Sequence, residues 1–122
     1  MSVVLDASAI LAFVQDEAGA SVVEEALQGG TRCAAVNWSE VAQKVLGAGR
    51  NWDLVRGLLL SYGLRVDAVG VEDAEWAARR WSRGEGLSLA DRLCLALAER
   101  LGEDVLTADA AWGSTGRVRQ IR

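Results

Sequence analysis

Val3-Val4-Leu5-Asp6-Ala7-Ser8-Ala9-Ile10-Leu11 is the stretch whose reading decides the fold of this chain. The unbroken apolar run reads as a short strand over residues 2 to 5, and the pattern turns helical over residues 8 to 14. A strand with no polar alternation belongs in a sheet covered on both faces. Asp6 then stands at the carboxyl end of a buried strand, the edge at which open α/β sheets bind ligands. Asp is also among the best N-cap residues, so capping the helix that follows is an equal reading of Asp6 taken alone.

Val105-Leu106-Thr107-Ala108-Asp109 repeats the theme of strand followed by carboxylate, although an Asp there also opens turns. Between the two stretches the sequence predicts helices over 18–27, 38–48, 51–61, 71–83 and 88–101 and strands over 32–36 and 64–69, with a loop at 84–86 and a last strand over 118–121. Gly29-Gly30 stops the helix before it. Helix 38–48 buries Val41, Ala42, Val45 and Leu46, and helix 71–83 carries the stripe Ala74, Ala77, Ala78 and Trp81. Strands alternating with helices imply a three-layer α/β/α arrangement around a mostly parallel central sheet, in a single domain over residues 1–122.

Composition removes several kinds of chemistry. The chain has 122 residues, enough to bury about two thirds of its unfolded surface without a disulfide or structural metal. It contains no histidine, which excludes Ser-His-Asp and Cys-His hydrolases and histidine zinc sites. Cys33 and Cys94 lie in apolar stretches and read as reduced core thiols of a cytoplasmic protein. No signal-like opening or bilayer-length apolar run is present, so no membrane role is expected. A net charge of -4 makes general attraction to nucleic acid weak, and any contact with it local.

Two further acids are singled out. Ser88-Leu89-Ala90-Asp91 has the form of a capping box, which prefers Glu or Gln at its last position. At about 100° per residue Asp91 projects with Leu95 and Ala98, a quarter-turn from the charged stripe of Arg92, Glu99 and Glu103. A carboxylate away from solvent raises its pKa or finds a cation, so a shared metal is the better account of Asp91. Glu40 shares a helical face with Gln43 and Lys44, and an exposed Glu40–Lys44 pair explains it without a site. Its place in the first turn after the second strand nonetheless lets it reach the edge that holds Asp6.

Together these residues resemble the PIN domain family of metal-dependent ribonucleases, and in size the chain resembles the VapC-type toxins of toxin–antitoxin pairs. The resemblance covers essentially the whole chain: Val3 to Leu11 with the first acid, Asn37-Trp38-Ser39-Glu40-Val41 with the second, Leu87-Ser88-Leu89-Ala90-Asp91-Arg92-Leu93 with Ala96 the third, and Thr107-Ala108-Asp109-Ala110-Ala111-Trp112 the fourth. Trp112 stands where Phe is commoner, and the overall acidity suits RNA less than a basic surface would.

The resemblance implies cleavage of an RNA phosphodiester with Mg²⁺ or Mn²⁺, leaving a 5′-phosphate and a 3′-hydroxyl. It implies metal held by Asp6, Asp91 and Asp109, a water or second ion oriented by Glu40, and support from Ser8 and Thr107. It also implies single-stranded or loop RNA as substrate, a small cognate antitoxin that docks a helix in an apolar groove, and a homodimer. The groove is expected between the helices over 38–61, lined by Trp38, Val41, Val45, Trp52, Val55 and Leu59.

Haloacid-dehalogenase-like phosphatases want an acid where this chain has Ser8, and receiver domains want a lysine on the last strand, whereas the only lysine is Lys44. The alternative from another class is a catalytically silent module with the same fold that binds RNA or protein. Arg79-Arg80-Trp81-Ser82-Arg83 has the mixture found in strand-binding grooves, but Trp81 on the core stripe with arginines in solvent is the stronger reading.

Overall fold

The computed structural model describes residues 2–122. Strands β1 (Val3–Leu5), β2 (Thr31–Ala34), β3 (Arg65–Asp67), β4 (Val105–Thr107) and β5 (Val118–Gln120) form one sheet in the order β3-β2-β1-β4-β5, with every neighbour parallel. Parallel neighbours need long crossovers, and helices supply them. α1 (Ala7–Val14) and α2 (Ala20–Gly29) lead to β2, α3 (Ala35–Gly47) and α4 (Trp52–Ser61) to β3, and α5 (Val71–Arg80) and α6 (Leu89–Leu101) carry the chain back across the sheet to β4. A single 3₁₀ turn, Ala110–Trp112, lies between β4 and β5.

Successive strand residues face opposite sides, which builds two cores. Leu5, Cys33 and Leu106 pack against buried residues of α1 to α4, whereas Val4, Ala34 and Val105 pack against Cys94, Leu97 and Ala98 of α6. The layers are therefore α1–α4, sheet, and α5–α6. The chain leaves β1 towards β2, while β4 joins β1 from its other side, so the order reverses between β1 and β4. A crevice forms at such a reversal, outside the carboxyl ends of the strands.

Three local departures bear on function. Residues 35 and 36, read above as strand, open α3, because Asn37, Val41 and Val45 form its buried stripe and that spacing requires a helix from this point. Arg92 is not on a solvent stripe but buried, with Nη1 donating to the Ala77 carbonyl at 2.6 Å, one of the last carbonyls of α5 left without a helical partner. Helix α5 stops at Arg80, and Trp81 adopts an extended backbone (ψ 134°) that swings its ring out of the expected core stripe to 55% exposure.

The expected groove residues Val41, Val45, Val55 and Leu59 are core, and Trp38 and Trp52 pack edge to face on one another at 5.1 Å. The apolar surface in this region is instead formed by Leu46, Leu54 and Leu58, exposed by 59%, 71% and 47%. Among the described residues no helix is long and apolar enough to cross a membrane.

Candidate active site

Asp6 leaves the end of β1 as the N-cap of α1, so the local rule and the site coincide: its Oδ1 accepts the Ala9 amide at 2.8 Å. The same carboxylate takes Ser8 Oγ at 2.8 and 2.9 Å and, from the end of β4, Thr107 Oγ1 at 2.6 Å. Ser8 Oγ in turn accepts the Ala108 amide at 2.9 Å, and Thr107 Oγ1 accepts the Asp109 amide at 3.0 Å. Ser8 and Thr107 thus lock the first acid to the strand that delivers the fourth.

Asp6 is only 4% exposed, and burial pushes its pKa up from 3.8 to about 6; the hydrogen bonds from Thr107, Ala9 and Ser8 oppose this, and the charge of Asp91 adds to it. A carboxylate buried beside a second carboxylate, with no cation among its hydrogen-bond partners, is costly when ionised. Neighbouring groups feel the same crowding. The buried Cys94 thiol is pushed well above its ordinary range, first by burial and then by Asp6, Cys33, Asp91 and Glu40.

Asp91 lies in the first turn of α6 and does form the capping box, donating its amide to Ser88 Oγ at 3.1 Å and accepting the Ser88 amide on Oδ2 at 2.9 Å. Capping and proximity to Asp6 are therefore both true of it. Glu40 forms no ion pair with Lys44 among the described residues; it accepts Asn37 Nδ2 on Oε1 at 3.0 Å. Asn37 also donates to the Ala90 carbonyl at 3.3 Å, which ties the start of α3 to the residue before Asp91. Fully buried, Asn37 keeps its Oδ1 without a partner. Sequence reasoning missed this residue, though its signal was present: it is the one polar position on the apolar stripe shared with Val41 and Val45.

Asp109 is at the same edge but exposed, where its Oδ1 accepts the Ala111 amide at 2.9 Å and starts the 3₁₀ turn. The structure therefore brings Asp91 near enough to Asp6 for its charge to be felt, ties Glu40 through Asn37 to the residue before Asp91, and connects Asp109 to Asp6 through Thr107. Among the described residues no three acids or cysteines come close enough to hold an ion by themselves. Mg²⁺ commonly takes only one or two carboxylates and completes its shell with water and substrate oxygens, so the all-oxygen set here fits a hard divalent cation.

The PIN domain family model matches residues 3–118. The chain is 38% identical over 114 residues to the VapC ribonuclease Mb2780c of Mycobacterium bovis and, by the same measure, to ribonuclease VapC42 of Mycobacterium tuberculosis, covering 84% of this chain and 87% of each relative. A solved structure, a toxin-antitoxin complex from Klebsiella pneumoniae, superposes with a TM-score of 0.80 at 19% identity, covering 99% of this chain and 98% of its counterpart. That likeness concerns the fold.

Proposed function

The chain belongs to the PIN domain family, and on that premise we propose that it is a divalent-metal-dependent endoribonuclease, the toxin of a type II toxin–antitoxin pair. The observation that carries the reading is Asp6: a nearly buried carboxylate at the reversal of the sheet, fixed by three side-chain and backbone donors and crowded by Asp91. Its relatives are ribonucleases by name.

In this reading Asp6, Asp91 and Asp109 would hold Mg²⁺ or Mn²⁺, with water and substrate oxygens completing the ion's shell. The bound ion supplies Lewis acidity towards the phosphate and eases ionisation of a water. Ser8 and Thr107 keep Asp6 in one rotamer, so its oxygens are presented without reorganisation. Asn37 occupies Oε1 of Glu40 and leaves Oε2 to accept a proton from the attacking water. As the water oxygen bonds to phosphorus, the bond to the 3′ oxygen breaks and that oxygen takes a proton from solvent, giving a 3′-hydroxyl and a 5′-phosphate. The setting is the cytoplasm, the substrate single-stranded or loop RNA, and the active form a homodimer.

A silencing antitoxin completes the reading. The Leu54 and Leu58 stripe of α4, one helical turn apart, together with Leu46, offers an apolar seat for its helix.

The purified protein is expected to cut single-stranded RNA with Mg²⁺ or Mn²⁺, to stop in EDTA, and to be inactive as Asp6→Asn. Cleavage that persists in EDTA overturns the metal-dependent reading, and binding of RNA without cleavage under any divalent ion favours the silent module.

A further inference from the structure

Helices α5 and α6 pack antiparallel: Arg100 near the end of α6 pairs with Asp73 at the start of α5 (3.0 Å), and Arg92 near the start of α6 reaches Ala77 in the second half of α5. The C-terminal end of α5 is therefore level with Ser88 and Asp91, at the acidic edge of the sheet. Arg79 and Arg80 fill its last turn, and Trp81 and Arg83 follow.

This end of the molecule differs from a solvated charge run in three respects. Trp81 is 55% exposed, although a ring of that size normally buries most of its surface. The Arg83 guanidinium stands over the ring, 6.0 Å from its centroid. Arg80 is engaged by Glu85 at 2.6 Å, which closes the loop, whereas Arg79 and Arg83 are exposed and have no carboxylate partner among the described residues. Other cations lie elsewhere or are committed: Lys44 is in the last turn of α3 and Arg50 follows it, Arg56 is on α4, Arg65 begins β3 at the opposite edge, Arg92 is buried against Ala77, and Arg32, Arg100, Arg117, Arg119 and Arg122 are in ion pairs. In a chain of net charge -4, an unpaired basic and aromatic ridge beside the carboxylates is where a polyanion meets least repulsion.

A cavity of about 260 Å³ adjoins the ridge, lined by Arg80, Glu85, Leu87, Ala111 and Trp112 among others. It lies under the α5–α6 loop, and its walls continue along Leu95, Ala98 and Glu99 of α6 to Arg117 and Val118, so it flanks the base of the ridge and none of the four site carboxylates lines it.

We infer that Trp81, flanked by Arg79 and Arg83, is the platform on which a nucleobase of the RNA strand stacks beside the scissile phosphate. The inference rests on the ribonuclease reading for the identity of the strand. Every base has a face that stacks on an indole, so the platform sets the register of the strand without selecting its sequence. The two arginines hold the phosphates on either side.

The test is binding of a short single-stranded 2′-O-methyl oligonucleotide in EDTA, where no cleavage occurs. Trp81→Ala is expected to weaken binding by about tenfold or more, and Trp81→Phe to restore most of the loss. The double variant Arg79→Gln, Arg83→Gln is expected to flatten the dependence of log affinity on log salt by about 0.7 for each arginine removed. Exposure of all three side chains makes folding of the variants a fair expectation, checked by thermal melting. With RNA and Mg²⁺, Trp81→Ala is expected to raise KM far more than it lowers kcat. Unchanged oligonucleotide affinity in Trp81→Ala overturns the inference and leaves the nuclease reading intact. Loss of binding in Trp81→Ala, together with a wild type that never cuts, upholds the platform and removes the nuclease.

Discussion

Thr107 Oγ1 donates to Asp6 Oδ2 at 2.6 Å, a buried hydrogen bond between residues 101 apart in sequence. It joins the ends of β1 and β4 at the reversal of the sheet and sets the orientation of the most buried acid. Because the same oxygen accepts the Asp109 amide, one hydroxyl holds two of the carboxylates in register.

Thr107→Val keeps the shape and removes the hydroxyl. Loss of a buried hydrogen bond to a charged group costs on the order of 1.5–3 kcal/mol. We expect the melting temperature to fall, and kcat to fall by about tenfold or more at saturating Mg²⁺, since each 1.36 kcal/mol is a decade in rate. Wild-type kcat in this variant would mean that Asp6 is oriented by Ser8 and Ala9 alone.

Asp6 makes the metal-free protein sensitive to pH in a defined direction. Its folded-state pKa, about 6, lies above the ordinary 3.8, so the native state binds more protons than the unfolded chain between those values. Stability of the apo protein therefore falls as pH rises from about 4 to about 6 and carries the full penalty above that, roughly 3 kcal/mol. Asp6→Asn removes the ionisable group. In EDTA at pH 8 the variant is expected to melt at or above the wild type, with its advantage shrinking as pH is lowered through 6 towards 4. An advantage that grows on acidification would contradict the cause assigned to the shift.

Asp91 caps its helix, and the proposed function also gives it a place at the metal; two variants separate these roles. Ser88→Ala removes one half of the capping box and is expected to cost about 1 kcal/mol of stability, with cleavage per folded molecule close to wild type. Asp91→Asn still accepts the Ser88 amide through its carbonyl oxygen, so its stability should change little while cleavage is lost. If Asp91→Asn instead unfolds the protein and its folded fraction cuts normally, Asp91 is a cap and nothing more.

The fold was legible because its strands are short and spaced by helices, and β1 and β4 are each followed within two residues by a carboxylate, Asp6 and Asp109. Asp6, Asp91 and Glu40 could be assigned to one edge from their places in the elements, without contact information. Asn37 escaped because an amide among apolar residues looks like an ordinary helical position until its partners, Glu40 and Ala90, are known. Trp81 was misread for a related reason. Projection at 100° per residue assumes that the helix continues, and α5 ends one residue earlier. Arg92 was misassigned to solvent because only the packed α5 reveals the Ala77 carbonyl that it satisfies.

The antitoxin seat can be tested apart from catalysis. Leu54 and Leu58 are exposed by 71% and 47% on one face of α4, a helix that carries none of the four carboxylates. Removing such a patch from water upon binding is worth about 25 cal/mol for each Å² of apolar surface, and a carboxylate placed at its centre would have to be buried unpaired. Leu54→Glu is thus expected to weaken the complex with the antitoxin by at least about tenfold while the free variant cuts RNA at the wild-type rate. The readout is paired: calorimetric affinity for the purified antitoxin, and cleavage with and without it. A Leu54→Glu variant that is still fully silenced at wild-type antitoxin concentrations would move the seat away from α4, and one that loses cleavage in the absence of antitoxin would tie this face to the active form of the enzyme.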